Sequence, residues 1–237
     1  MKVLVINGSP RGEASNTMVL TRAFLEGAGW SDAEVIGVTK ANIKGCLGCF
    51  DCWAKTPGKC VIQDDMAEIL PKLIAADVVL WSFPLYYYSV PGQLKLLIDR
   101  QLPLVLPEMP AGSESGTHPS RYDLEHQRHA LISTCGFWTP EGNYNPVTAM
   151  FDRLFGAGNY TSLFCGQGGL FSVADMEDVS GAEELKELVD HYLAIVREGG
   201  AEFAKGELSA QTKADLASPL LPQEIYEQEA NASWGEV

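Results

Sequence analysis

Short apolar runs alternate along this chain with stretches whose apolar residues recur at helical spacing. Five runs have the length and the β-branched or Leu content of buried strands, which predicts strands at residues 3–6, 34–38, 77–83, 130–134 and 160–164. Apolar residues three and four apart predict helices at residues 17–27, 64–74, 91–100, 146–155 and 181–205. The alternation indicates an α/β domain with a doubly wound parallel sheet and helices on both faces.

The number of strands indicates their order in the sheet. A single five-strand unit fits the flavodoxin-like order 2-1-3-4-5 better than the six-strand order of dinucleotide-binding domains. In that order the ligand crevice lies outside the carboxyl ends of strands 1 and 3. We expect the domain to cover residues 1–205, with an insertion or lid at residues 101–128 and a C-terminal tail at residues 206–237.

The loop after the first strand concentrates polar groups that suit a phosphate. Its hydroxyl, amide and guanidinium groups belong to Ser9, Arg11, Ser15, Asn16 and Thr17. Loop N–H groups and the positive end of the next helix can hold an anion, and a guanidinium adds a charged fork. An ordinary turn capped by a serine explains the same residues equally well. The loop is neither GxGxxG nor a Walker loop, which argues against a dinucleotide or an NTP bound in those ways.

The loop after the third strand, residues 84–92, contains three consecutive tyrosines. Three adjacent rings cannot all enter a core, so one alternative is that one packs, one is at the surface and one is at an interface. We favour a flat aromatic wall for a planar ring whose polar edge meets loop N–H groups, because the phosphate loop would face it across the crevice.

Together, GSPRGEASNT and PLYYYSVPGQLKLLIDR resemble segments of the flavodoxin-like NAD(P)H-dependent FMN reductases, and the resemblance extends over residues 1–205. It implies that the phosphate of FMN is surrounded by Ser9, Arg11, Ser15, Asn16 and Thr17. It implies that the isoalloxazine ring lies along Pro84, Leu85, Tyr86, Tyr87 and Tyr88. It implies that the other side of the ring meets Thr134, Cys135, Gly136 and Phe137.

The resemblance further implies NAD(P)H as co-substrate and a homodimer or homotetramer with each flavin near a subunit boundary. In such an enzyme the flavin supplies the chemistry, so we assign no catalytic side chain. His126 and His129, just before the fourth predicted strand, are expected at the surface, and Cys165 is expected to serve packing.

Four cysteines form a C-x2-C-x2-C-x7-C pattern: Cys46, Cys49, Cys52 and Cys60. Overlapping C-x2-C steps are the spacing by which ferredoxin loops hold a [4Fe-4S] cluster, and the pattern also resembles the iron-sulfur flavoproteins, a branch of the same fold. The seven-residue spacing is at the long end for that branch, and Trp53 is typical of cluster-free relatives. Three hypotheses compete: a cluster site, free or redox-active thiols, and a structural zinc site, which more often uses two separated pairs.

Composition excludes several classes of partner. The formal net charge of −14 argues against nucleic acid and anionic membranes. No run reaches the length of a membrane span, and the first apolar run is too short for a signal peptide. Six cysteines in 237 residues do not make a secreted disulfide scaffold, so we expect a cytoplasmic protein with reduced thiols.

Two functional hypotheses follow. The first is an FMN-dependent oxidoreductase that passes hydride from NAD(P)H via FMN to a quinone, a flavin or a similar small acceptor. The second is an iron-sulfur flavoprotein that relays electrons between FMN, a [4Fe-4S] cluster and a ferredoxin-type partner. A ligand sensor that uses the same crevice is a third alternative, and nothing in the chain favours it.

Overall fold

The apolar runs form one parallel sheet whose central strands are covered on both faces. The computed structural model describes residues 1–112, 117–176 and 182–233. Its strands are β1 (Val3–Asn7), β2 (Glu34–Gly37), β3 (Val78–Pro84), β4 (Arg128–Thr134) and β5 (Tyr160–Cys165). They pair in parallel in the order β2-β1-β3-β4-β5. The predicted fold class and strand order are therefore confirmed.

Helices cover the sheet from both sides. They are α1 (Asn16–Ala28), α2 (Asp51–Ala54), α3 (Met66–Ala75), α4 (Gly92–Asp99), α5 (Asn145–Phe155), α6 (Glu183–Lys205), α7 (Ala210–Ala217) and α8 (Gln223–Ala232). Helices α1 and α6 share one apolar core with the sheet, while α3, α4 and α5 share the other. No helix among these residues combines the length and the apolar character needed to cross a bilayer.

Helices α1 and α6 approach each other closely because glycines line their contact. A Cβ added at Gly27 would lie 1.8 Å from the carbonyl oxygen of Arg197, and one at Gly200 would lie 2.0 Å from that of Phe24. Only a glycine fits at such distances, since backbone oxygens cannot move aside as flexible side chains do. This contact packs the C-terminal half of α1 tightly against α6.

The chain after residue 206 folds back onto the domain as α7 and α8. The hydroxyl of Tyr192 in α6 donates to the carbonyl of Leu216 at 2.8 Å, and the hydroxyl of Tyr226 donates to the carbonyl of Gly136, also at 2.8 Å. Both tyrosines are buried. The expected tail thus contains two helices that contact the same chain, and one of them contacts the loop after β4.

The prediction of a surface position is confirmed for His126 and wrong for His129. Strand β4 begins two residues earlier than predicted, because the N–H of Arg128 donates to the carbonyl of Asp77 and extends the ladder with β3. His129 therefore lies within the sheet, stacked on the ring of Phe155. Three other predictions fall partly outside the described residues, at residues 113–116 of the insertion, residue 181 of the last predicted helix and residues 234–237 of the tail.

Candidate functional site

The loop after β1 presents backbone donors at the start of α1. Ser9 and Ser15 are buried, and the Oγ of Ser15 accepts from the N–H of Met18 at 3.2 Å, which caps the helix. The first N–H groups of a helix have no partner within it. Within the described part of the chain, those of Asn16 and Thr17 find no acceptor. Two parallel donors and the positive end of the helix dipole therefore form a place where an anion can bind.

Two side chains of this loop make hydrogen bonds to residues at the carboxyl ends of other strands. The Nδ2 of Asn16 donates to the carbonyl of Gly168 at 2.7 Å, and the hydroxyls of Thr17 and Thr134 are 2.6 Å apart. These bonds join the loop to the ends of β5 and β4. The part of Asn16 and Thr17 that is available to a ligand is therefore mainly their backbone.

Arg11 lies at the exposed rim of the loop. Its N–H donates to the Oγ of Ser9 at 3.3 Å, and its guanidinium makes no hydrogen bond or ion pair with the described residues. Deeper in the loop, the buried Nδ2 of Asn7 also lacks an acceptor among them. Donors without partners are what a bound oxyanion would satisfy.

The three tyrosines follow β3 in a tight turn. Tyr86 and Ser89 exchange two backbone hydrogen bonds, of 2.9 and 3.0 Å, around the central residues Tyr87 and Tyr88. Both central residues have positive φ, 49° and 64°. Two-residue turns of this kind prefer Asn-Gly, since most side chains are strained at positive φ. Strained backbone at a ligand edge is often kept for function.

Tyr88 and Phe137 form a pair of parallel rings from two different strand ends. Their centroids are 5.7 Å apart with an interplanar angle of 15°, and the residues are 46% and 43% exposed. The N–H of Leu85 donates to the carbonyl of Thr134 at 2.8 Å and joins the two loops. Tyr87 is 98% exposed and does not share this plane. Tyr88 of the predicted aromatic wall therefore pairs with Phe137, which the resemblance assigned to the other side of the ring, and the wall itself stays a prediction.

The remaining predicted residues lie at the same edge. Pro84 and Leu85 are half-buried at the end of β3, Tyr86 is exposed, and Gly136 is exposed after β4. Cys135 is buried beneath them, and burial raises the pKa of its thiol above the ordinary value. Cys165 is buried as expected, and burial raises the pKa of its thiol to about 12.

A clamp that has no signal in the sequence joins the site loops to the C-terminal segment. Gln167 is buried; its Nε2 donates to the carbonyl of Leu221 at 2.8 Å and its Oε1 accepts from the N–H of Leu221 at 2.9 Å. The indole of Trp138 donates to the same carbonyl at 3.1 Å. Tyr226 bonds the neighbouring Gly136. The partners are 54 to 90 residues apart, so no local pattern could have indicated them.

The four predicted cysteines line one small cavity together with Arg100. All four are free thiols. Burial raises the pKa of Cys52 above its ordinary value, and the charges of Cys60, Cys46 and Cys49 raise it further. Such mutual influence requires neighbouring sulfurs. The loop therefore brings together all four residues of the C-x2-C-x2-C-x7-C pattern.

Left-handed residues and a short helix shape this loop. Gly48 and Phe50 have φ of 63° and 57°, and they reverse the chain before α2, which carries Cys52. The indole of Trp53 in α2 donates to the carbonyls of Leu102 and Val105, at 3.2 and 3.0 Å. Trp53 thus fixes the cysteine loop to the insertion.

The arrangement of the thiols bears on which metal group they could hold. Among the described residues, no set of three or more His, Cys, Asp or Glu side chains is arranged to hold a single metal ion. Structural zinc needs thiolates about 2.3 Å from one ion, whereas a cluster takes each thiolate on a different iron. Four cysteines line one cavity, and four thiolates are the ligand number of a [4Fe-4S] cluster.

Comparison with known proteins identifies the family of this chain. A family model described as NADPH-dependent FMN reductase matches residues 1–147. The chain belongs to the NADPH-dependent FMN reductase family. This confirms the resemblance inferred from the two loops.

The curated relatives that this FMN reductase family member matches are of two kinds. An iron-sulfur flavoprotein of Methanocaldococcus jannaschii is 40% identical over 108 residues, which are 44% of this chain and 53% of the relative. A putative NAD(P)H-dependent FMN-containing oxidoreductase of Bacillus subtilis is 33% identical over 158 residues, 65% of this chain and 77% of the relative. The chain spans about half the length of the iron-sulfur flavoproteins that it matches.

Solved structures of low identity share the fold of this family member. An NAD(P)H:quinone oxidoreductase from Methanothermobacter marburgensis has a TM-score of 0.59 at 18% identity, with 86% of this chain and 96% of that one covered. An FMN-dependent NADH-azoreductase from Bacillus anthracis, in complex with FMN, has a TM-score of 0.55 at 20% identity, with 86% and 99% covered. Both likenesses concern the flavodoxin-like architecture.

Proposed function

We propose that this protein is an FMN-dependent oxidoreductase that passes hydride from NAD(P)H via FMN to a quinone, a flavin or a similar small acceptor. One observation carries the proposal. Unpartnered N–H groups at the start of α1 lie beyond the carboxyl ends of the strands, and so does the exposed ring pair of Tyr88 and Phe137. A phosphate and a planar ring joined by a short chain would satisfy both features, and FMN has this form.

The loops after β1, β3 and β4 bind different parts of FMN in this proposal. The N–H groups of Asn16 and Thr17 and the guanidinium of Arg11 bind the phosphate. The rings of Tyr88 and Phe137 lie against the flavin and limit its contact with water. FMN, when bound, supplies the hydride chemistry. The side chains of these loops therefore need to bind and orient the flavin, and none is required as a general acid or base.

Analysis of the bound cofactor tests the proposal. We expect cofactor released from the purified protein to be FMN, and recovery of FAD alone would reject the proposal. Arg11→Ala is expected to weaken FMN binding by about 1.5–3 kcal/mol, roughly 10- to 150-fold in Kd, because it removes a charge-assisted contact. Arg197→Ala, which removes an exposed arginine on α6 that is paired with Glu26, is the matched control. Equal Kd values for the two variants would remove Arg11 from the site.

The cysteine cavity favours a second candidate function. An iron-sulfur flavoprotein would relay electrons between FMN, a [4Fe-4S] cluster on Cys46, Cys49, Cys52 and Cys60, and a ferredoxin-type partner. Six curated relatives named iron-sulfur flavoprotein, 33–40% identical over about 100 residues, support this reading. The four thiols that line one cavity support it independently.

Anaerobic reconstitution with iron and sulfide separates the two candidates. For the second candidate we expect stoichiometric iron and sulfide in the wild type, and their loss with retained FMN in Cys49→Ala. Wild-type protein that gains no cluster absorbance but oxidises NAD(P)H rapidly would reject the second candidate and support the first.

We also propose that the protein works in the cytoplasm as a homodimer or homotetramer with each flavin near a subunit boundary. The aromatic ring pair supports this, because it leaves apolar surface exposed at the edge of the site. Light scattering of the FMN-loaded protein tests the proposal, and a monomer at micromolar concentration would contradict it.

A further inference from the structure

Arg100 is a buried cation with one donor left over. It follows directly after α4, and its side chain is 1% exposed. Its Nη1 donates to the carboxylate of Asp64 at 2.7 Å and to the carbonyl of Lys44 at 2.7 Å, and its Nη2 donates to Asp64 at 2.9 Å. Its Nε is buried and has no acceptor in the described ranges. A buried donor without a partner is costly and indicates a missing acceptor.

The surroundings of Arg100 indicate what that acceptor is. The side chain belongs to the wall of the cavity that the four cysteines line. Burial lowers the pKa of Arg100, but hydrogen bonding to Asp64 and the charge of Cys60 outweigh this effect and raise the pKa above its ordinary value. Arg100 and Cys60 line the same small cavity, so the guanidinium and the sulfur of Cys60 share its wall.

Asp64 holds the guanidinium in this position. Its side chain is fully buried, and besides Arg100 it accepts from the N–H groups of Lys44 at 2.9 Å and of Met66 at 3.2 Å. Lys44 begins the cysteine loop, and Met66 begins α3. The fork-to-fork pair thus joins the end of α4, the segment before α3 and the cysteine loop, and it leaves Nε without an acceptor among the described residues.

We propose that Arg100 is a positioning residue of the cysteine cavity, whose free Nε–H donates a hydrogen bond to a cysteine sulfur, that of Cys60, when the cavity holds an iron-sulfur cluster. The proposal rests on the second candidate function. A cluster held by four thiolates is anionic and gains one negative charge on reduction. A fixed cation and a hydrogen bond to a ligand sulfur stabilise the reduced form more than the oxidised form. Arg100 therefore raises the reduction potential of the cluster.

Two variants isolate the contribution of Arg100. Asp64→Asn keeps the arginine beside the cavity, and the double variant Asp64→Asn with Arg100→Gln removes it without leaving an unpaired buried carboxylate. Arg100→Lys in the wild-type background keeps the positive charge but has no Nε–H, so it removes only the hydrogen bond. Arg197→Gln, which removes an exposed arginine on α6, controls for net charge.

The measurement is a dithionite titration of the reconstituted proteins, monitored by cluster absorbance and electron paramagnetic resonance, with FMN content as the check on folding. We expect the double variant to have a more negative cluster potential or a lower iron content than Asp64→Asn. Arg100→Lys should shift in the same direction by a smaller amount, and Arg197→Gln should match the wild type.

The outcomes distinguish this inference from the function on which it rests. A wild type that takes up no iron and sulfide overturns the second candidate function and this inference with it. A wild type that holds the cluster, with equal potentials and iron contents in Asp64→Asn and in the double variant, overturns only the role of Arg100.

Discussion

Acidification is expected to destabilise this protein through His129. Its ring stacks on that of Phe155 with centroids 3.8 Å apart, and its Nδ1 lies 3.5 Å from the indole Nε1 of Trp81. Burial lowers the pKa of His129 to about 4, whereas an unfolded chain has a histidine pKa of about 6.5. Between these two values the unfolded chain binds a proton that the folded protein does not. Stability therefore falls as the pH is lowered from about 6.5 to about 4.

The pKa difference of His129 gives the size of this loss. At 1.36 kcal/mol for each pH unit, the gap between about 6.5 and about 4 corresponds to about 3 kcal/mol, lost completely below pH ~4. At pH 5 the unfolded histidine is almost fully protonated and the folded one is almost neutral, so about 2 kcal/mol is already lost. This is a substantial fraction of the 5–15 kcal/mol typical of a folded domain.

Urea unfolding at pH 7.5 and pH 5.0 measures the loss at His129. His129→Asn does not titrate and keeps a polar group near the position of Nδ1, while His191→Asn removes an exposed histidine on α6. Carboxylates contribute equally to the wild type and both variants. We expect the wild type and His191→Asn to lose about 2 kcal/mol more than His129→Asn between the two pH values. Equal losses in all three proteins would refute the assignment.

Three other predictions concern packing and the site. Gly200→Ala places a methyl group against a backbone carbonyl of α1 and should lower Tm by roughly 2–12 °C. The control is Gly199→Ala, where the nearest atom to the new methyl group is 3.5 Å away, so Tm should be unchanged or higher. Equal Tm values for the two variants would contradict the packing argument. Tyr87→Asn with Tyr88→Gly relieves positive φ and should stabilise the fold by roughly 0.5–1 kcal/mol while weakening FMN binding; unchanged FMN affinity would remove the ring pair from the site. Trp53→Phe loses two hydrogen bonds to the insertion and should cost about 1 kcal/mol in urea unfolding; an unchanged midpoint would show that the indole does not fix the loop.

The sequence was sufficient where structure depends on neighbours along the chain. The apolar run of β3 predicted a central strand, and the polar residues around Ser9 predicted the loop that follows β1. The cysteine spacing predicted that the thiols lie together, because two overlapping C-x2-C steps leave little freedom for the sulfurs, and all four cysteines line one cavity. Each of these predictions depended on residues within about fifteen positions of one another.

Contacts between distant segments leave no local signal in the sequence. Arg100 and Asp64 are 36 residues apart, and each alone looks like an ordinary charged residue at a helix end. His129 looked exposed because its neighbours are polar, yet strand pairing two residues longer than the apolar run carries it onto the ring of Phe155. The turn at Tyr87 was unpredictable for another reason, since its conformation is one that tyrosine rarely adopts.

The clamp of Gln167 and Gly136 onto the C-terminal segment has a consequence during synthesis of the chain. Tyr226 is made 90 residues after the carbonyl that it bonds, which at 5–20 residues per second is a delay of about 5–20 s on the ribosome. All five strands of the sheet precede Tyr226 in the chain. A nascent chain thus has all five strands of the sheet before the segment that clamps the loops after β4 and β5, so those loops gain these hydrogen bonds only at the end of synthesis.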